Sequence, residues 1–304
     1  GWCMFDYNTH KDFGSGDRIC YHGVMDAFRN PKLAAALYQS QGEEETVLKI
    51  SSSMDIGEYP ASLIRNVYAV TNADSIRVYK NEELVGTFET GDSPFRNLPH
   101  GPILLDDFIG DLLETKEGFS KEKAADVKKV LLSIAKNGLN HIPFGTILIA
   151  LKCVLFRGMK MQDAVELYNK YIGNWGGIAT EYRFEAVKDG VVVFTVRKGP
   201  ARQPHLKTRV SDNHLVIGDT YDVAEIRLMA ESEYGDTLCF CQEALKLRTE
   251  GPIALIGPEM ISLNGGMGGV YVRTTGEEGR AVLILSSGLF GEIRIDFTVE
   301  KEVL

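Results

Sequence analysis

Twice between Thr46 and Pro200 the hydrophobic period of this chain changes, and that double switch limits the folds open to it. Apolar residues first alternate with polar ones in TVLKI, RNVYAVTN and SIRVYKNEELVGTFE, with Lys80-Asn81-Glu82-Glu83 as a polar turn. Alternation of this kind marks strands with one buried face. From Gly101 the period becomes helical, in PILLDDFIGDLLETK and then in SKEKAADVKKVLLSIAKNG, where Ser120 is placed to cap the helix start and Gly138 to stop its end. Two further helices are expected at 144–156 and 161–172. Alternation returns in TEYRFEAVKDGVVVFTVRKGP, where Asp189-Gly190 is a strong hairpin signal. A four-helix block over about 102–173 is therefore expected as an insertion between strands of one β-sandwich that spans 42–204.

The flanks differ from this middle region. Residues 2–7 read as a short buried strand, 8–16 as a polar, glycine-bearing loop, and 31–41 as a helix rich in alanine and leucine. A single βα unit over 1–41 leaves backbone groups unpaired at both strand edges, so it calls for neighbouring strands upstream. Past the linker ARQPHLK, segments 206–210, 223–232, 244–249, 270–274, 280–286 and 291–299 alternate between Gly and Asp turns. This spacing predicts an immunoglobulin-like β-sandwich over 205–304.

Composition narrows the function. The 304 residues exceed the size at which one core usually divides, about 250 residues, so more than one domain is expected. A formal charge of −9 disfavours nucleic acid and anionic membranes, which recruit cationic faces. The longest apolar run, 142–156, is broken by Pro143, Gly145 and Lys152 and falls short of the roughly 20 residues that span a bilayer. It is expected to be a buried helix. Five scattered cysteines suit a reducing compartment, hence a cytoplasmic location. Cys239 and Cys241 read as alternate residues of a strand, with no second Cys/His pair to complete a zinc site. Neither a metal nor another cofactor is expected. The glycine-rich NGGMGG at 264–269 lacks the Lys-Ser/Thr of a phosphate loop and reads as a β-turn or bulge.

The opening GW…FDY…GSGDRICYHGVMDAFRNPKLAA resembles the end of the catalytic barrel in glycoside hydrolase family 2, the family of β-galactosidases, β-glucuronidases and β-mannosidases. Trp2, Asp6, Gly23, Arg29, Pro31 and Lys32 stand at the motif positions. NADSIRVYKNEELVGTF and FEAVKDGVVVFTVRKGPA are similar to the sandwich that follows the barrel, and GDTYDVAEIRLMAESEYGDTL to a terminal sandwich of longer members. The resemblance implies a fold that is mainly β with a helical insertion: the last βα unit of a (β/α)8 barrel, then two immunoglobulin-like sandwiches.

It also implies the C-terminal part of a retaining β-glycosidase, with β-galactosidase as the expected activity and a β-linked sugar as substrate. Retaining enzymes use two carboxylates about 5–5.5 Å apart. In this family both are glutamates on earlier barrel strands, so none of the glutamates here is expected to be catalytic and the chain alone is expected to be inactive. Its implied partners are the upstream remainder of the barrel and, in a homo-oligomer, a second copy.

Because barrel enzymes work at the C-terminal ends of their strands, residues 2–22 are expected to wall the sugar pocket. Trp2 offers a ring face to the sugar, or packs in a core. Asp6 accepts hydroxyl hydrogen bonds, or is a buried acid paired with Arg18. His10 and His22 bind hydroxyls, or lie on the surface; His22 stands where many relatives carry Asn. Arg29, Pro31 and Lys32 read as structural, Pro31 within the first helical turn. Tyr171 and Trp175 either touch substrate or a partner, or pack on the sandwich. The alternative to an enzyme part is a non-catalytic carbohydrate-binding or subunit-interaction module.

Overall fold

The computed structural model describes residues 3–9, 18–55, 64–173 and 180–302. The chain is mainly β and divides into two compact units, 1–200 and 201–304.

In the first unit, β1 (Cys3–Phe5) pairs in parallel with β4 (Gly23–Met25), Cys3 opposite Gly23 and Phe5 opposite Met25. Between them, β2 (Tyr7–Asn8) and β3 (Ile19–Cys20) make a small antiparallel pair. The helix α1 (Leu33–Gln39) follows, and its alanines Ala35 and Ala36 are buried. The opening is therefore more than the one strand, loop and helix that the sequence predicts: the stretch Gly23–Met25, too short to show a period, is a second strand. Pro31 sits before the helix rather than in its first turn, with Lys32 at the N-cap position.

Two antiparallel sheets follow. One has β5 (Leu48–Ile50), β6 (Val67–Thr71) and β9 (Ile103–Leu105) in the order β5-β6-β9. The other has β7 (Ser75–Lys80), β8 (Glu83–Glu89), β10 (Tyr182–Lys188) and β11 (Val191–Lys198) in the order β11-β10-β7-β8. Strands β7 and β10 lie side by side, Tyr182 opposite Lys80 and Val187 opposite Ser75, although about a hundred residues separate them in sequence. The stretch between contains α2 (Leu112–Thr115), α3 (Lys121–Asn137), α4 (Phe144–Phe156), α5 (Met161–Tyr168) and a π-helical turn at Asn169–Gly173. Sheets and helices share one core, in which Ile76, Ile103, Leu105, Tyr182 and Phe184 meet Val127, Leu131 and Ile172. Burying such side chains stabilises by about 1.5–3 kcal/mol each.

Two expectations for this region need correction. The first predicted helix is mostly something else: Ile103–Leu105 pairs with β6, and only Leu112–Thr115 is helical. The apolar run 103–105 is short enough to serve either structure, and the waiting edge of β6 decides it. Asp107 then ends the strand by accepting hydrogen bonds from the amides of Ile109 at 2.9 Å and Gly110 at 2.8 Å. The second correction is α4. It is helical as expected but not buried; only Thr146 and Cys153 are fully covered, Ile149 packs half-buried against the core, and most of its large apolar side chains are exposed. Among the described residues no helix is long and apolar enough to cross a membrane.

The second unit has a four-stranded sheet, order β12-β14-β18-β16, and a five-stranded one, order β13-β20-β19-β15-β17. Their strands are β12 (His205–Val210), β13 (His214–Ile217), β14 (Val223–Glu231), β15 (Ala244–Glu250), β16 (Ile253–Ile256), β17 (Met260–Ser262), β18 (Met267–Thr274), β19 (Gly279–Ser287) and β20 (Gly291–Lys301). Every pairing is antiparallel except β13 with β20. Alternation does what it predicts: Ala224, Ile226, Leu228 and Ala230 of β14 and Ile295, Phe297 and Val299 of β20 enter one core. Asn264–Met267 closes a tight turn with Gly265 and Gly266 at φ +60° and +79°. Cys239 and Cys241 lie in a turn and the coil after it, not on a strand, because the backbone between Leu238 and Cys241 folds back, with the Cys241 amide donating to the Leu238 carbonyl at 2.9 Å.

Candidate functional site

The candidate site is the opening unit, and Asp6 is the side chain from which it is built. It directly follows β1 and is buried, with 2% of its side chain exposed. A carboxylate in that position needs donors, since removing it from water costs several kcal/mol. Its Oδ1 accepts from the Gly23 amide at 2.8 Å and from the Lys32 ammonium at 2.8 Å. Lys32 also donates to the Tyr21 carbonyl at 3.1 Å, and its amide donates to the Val24 carbonyl at 3.1 Å. One carboxylate thus ties the end of β1 to the start of β4 and to the entry of α1.

Gly23 is required by this closeness. A Cβ there would stand 2.2 Å from the Asp6 nitrogen and 2.3 Å from the Phe5 carbonyl carbon, where only hydrogen fits. The turn after β4 is held by Asp26, whose Oδ1 accepts from the amides of Phe28 and Asn30 at 2.8 and 2.9 Å. Arg29 takes φ +68° and lays its guanidinium over the Phe5 ring, 3.7 Å from the centroid. The motif residues Arg29, Lys32 and Gly23 therefore hold the unit's shape, and both its buried carboxylates, Asp6 and Asp26, are engaged in holding backbone.

The remaining predicted residues divide. His22 is exposed, and its neighbour Gly23 donates its amide to Asp6. Trp2 and His10 lie outside the described residues, as does Trp175. Tyr171 is buried, its hydroxyl donating to Glu117 Oε1 at 2.6 Å, which is the packing role rather than partner contact. The buried acid Asp6 is paired with Lys32 and not with Arg18, the partner expected if it were structural. Sequence reasoning overlooked Lys32 as that partner; an Asp at a strand end and a Lys at a helix entry were its only signal.

Around this framework the unit exposes Met4, Tyr7, Tyr21 and His22. The Tyr7 phenol is held above its usual range, chiefly by a hydrogen bond with the Cys20 thiol, and stays protonated as a donor. An open cleft of about 580 Å³ lies farther along, between α1, residues 42–49 and Phe194 of β11. Its Glu43 carboxylate bonds Lys188 Nζ and His100 Nε2, each at 2.6 Å, and these hold it below the usual carboxylate range. Glu43 is thus an ionised tether, unsuited to protonating a leaving group. No group of three or more His, Cys, Asp or Glu able to hold a metal occurs among the described residues.

No protein-family model matches the chain. A β-galactosidase of Thermoanaerobacterium thermosulfurigenes is 28% identical over 269 residues, 88% of this chain and 30% of that protein. A β-galactosidase of Thermoanaerobacter pseudethanolicus is 26% identical over 294 residues, 96% of this chain and 32% of that protein. The chain therefore spans about a third of the length of these curated relatives. Among solved structures, a β-glucuronidase from glycoside hydrolase family 2 matches 99% of this chain and 25% of its own, at TM-score 0.58 and 14% identity, which speaks to the fold alone. Over most of its length the chain is similar in sequence to proteins named β-galactosidase and in fold to a part of glycoside hydrolase family 2, the family that its opening motif resembles.

Proposed function

We propose that this chain is the C-terminal part of a retaining family 2 β-glycosidase, with β-galactosidase as its activity. Residues 1–41 are then the last βα unit of a (β/α)8 barrel, and 42–204 and 205–304 are two immunoglobulin-like sandwiches, the first interrupted by the helical insertion. The observation that carries this reading is the sequence similarity to β-galactosidases across 88% and 96% of the chain. The parallel pairing of β1 with β4, followed at once by α1, supports the barrel assignment, since parallel neighbours with a helix after the strand are what a barrel repeats. Two sheets closing on one alternating core support the terminal sandwich.

In this reading Trp2 stacks on the apolar face of the sugar, and His10 and His22 bond its hydroxyls. Asp6, whose Oδ1 accepts from Gly23 and Lys32, fixes where the pocket wall begins. Both catalytic glutamates belong to earlier strands, so the chain by itself hydrolyses nothing. The test is hydrolysis of chromogenic β-galactoside, β-glucuronide and β-mannoside by a polypeptide extended upstream to a complete barrel, beside this chain. In that extended polypeptide His22→Ala raises KM with kcat largely kept, as expected for a group that binds substrate and transition state alike. An unchanged KM removes His22 from the pocket wall.

A further inference from the structure

The outward side of α4 has a pattern that solvent does not explain. Phe144, Leu148, Leu151 and Leu155 are 74%, 51%, 51% and 70% exposed, and they follow one another at spacings of four, three and four residues. That is the a/d spacing of a helix–helix seam. Ile147 and Val154, also exposed, widen it. The inward side carries fewer large apolar side chains: Thr146 meets Ser133 through a hydroxyl contact of 3.2 Å, Cys153 is the buried anchor, and Ile149 packs half-buried against the core. The helix thus turns its stronger apolar face away from its own core.

Charge and symmetry indicate what covers it. No charged residue occurs from Ile142 to Leu151. The cations that follow are already paired within the chain, Lys152 with Asp126 at 2.8 Å and Arg157 with Glu122 at 2.7 Å. A partner therefore needs an apolar helical seam and no compensating charge. A second copy of α4 supplies it: in an antiparallel crossing Phe144 faces the partner's Leu155 and Leu148 faces the partner's Leu151, and the same pairs recur when the copies are exchanged, as a two-fold axis requires. With Met161 and Val165 of α5 beside it, the exposed side chains of this face offer on the order of 800–1,000 Å², near the roughly 800 Å² that one partner gives to a standard interface. This is more than the few hundred Å² that a monomer normally leaves bare. We propose that α4 is a dimerisation helix, pairing antiparallel with α4 of a second copy.

The test is sedimentation velocity on the full chain at micromolar concentration. A dimer is expected, and Leu148→Lys or Leu155→Lys should weaken it by at least roughly 30-fold, the loss of one central anchor. Both positions are more than half exposed, so the far-ultraviolet circular dichroism should be unchanged, and the melting temperature should fall only by what dimerisation contributes at that concentration. Val193→Lys on the exposed strand β11 serves as the control and should leave the dimer intact. A monomeric wild type, or a dimer indifferent to both α4 variants, overturns the proposal. So does a dimer of this chain that disappears in the upstream-extended polypeptide, which would make another segment of the same protein the occupant of the seam.

Discussion

Asp6 and Lys80 are two buried charges solved in opposite ways. Asp6 has a counter-charge in Lys32 and a backbone donor in Gly23. Truncating one partner of a buried pair strands the other, at about 3–5 kcal/mol, reduced here because Lys32 keeps 31% of its side chain in solvent. We expect Asp6→Ala to cost about 2–3 kcal/mol by urea unfolding, and to cost little further once Lys32→Met is present; additive losses would deny the coupling. Among the described residues no carboxylate pairs with Lys80. Its ammonium donates to the Tyr171 carbonyl at 2.8 Å and lies near the rings of Tyr171 and Tyr182, and burial, with Lys170 nearby, pulls its pKa down to about 7. Between pH 7 and the usual lysine value near 10.4 the unfolded chain binds the extra proton, so this site makes stability rise with pH, at up to about 1.4 kcal/mol per unit. Lys80→Met should flatten that rise in urea titrations from pH 7 to 10; an identical slope in both proteins would contradict it. Neither arrangement could be read from sequence. Asp6 was legible as an acid at a strand end, but its partner lies 26 positions away, and Lys80 looks like any other turn-flanking lysine until β10 and the π-helical turn close over it.

At the scale of elements, local chemistry was the most legible part. Ser120 accepts from the Lys123 amide and Gly138 ends α3 at φ +80°, both as the sequence predicts. Ser120→Ala should lower stability by about 1 kcal/mol in thermal unfolding. The Asp189-Gly190 turn joins β10 and β11, with φ of +51° and +79°. What sequence could not supply was competition between elements. Ile103–Leu105 became a strand because β6 offered an edge, and α4 kept its helix while its apolar face found no cover in its own unit. Glycines show the same limit. Gly110 and Gly118 both take positive φ, +59° and +66°, and look alike in sequence. A Cβ at Gly110 would meet the Val85 carbonyl oxygen at 2.3 Å, whereas at Gly118 it meets open space. Gly118→Ala should cost about 1 kcal/mol from backbone strain alone, and Gly110→Ala about 3 kcal/mol or more. Equal losses on urea unfolding would mean that Val85 yields freely.

For the whole molecule, the division into two units with separate cores accounts for how two runs of alternating strands share one chain, and β7 beside β10 accounts for how a helical stretch sits inside one of them. The strand-rich architecture was legible because alternation survives wherever a sheet has one wet face, as in β14 and β20. The site was legible only as a motif: its sugar-facing role rests on resemblance, and the side chains seen around Asp6 brace the unit instead of performing chemistry. The central question is whether this framework completes a catalytic barrel. The decisive measurement is release of chromophore from a β-galactoside by the upstream-extended polypeptide and by this chain, both purified and at equal concentration. Turnover is expected from the extended polypeptide, with β-galactoside preferred over β-glucuronide and β-mannoside, and none from this chain. Turnover by this chain, or none by either on any of the three sugars, would contradict this expectation.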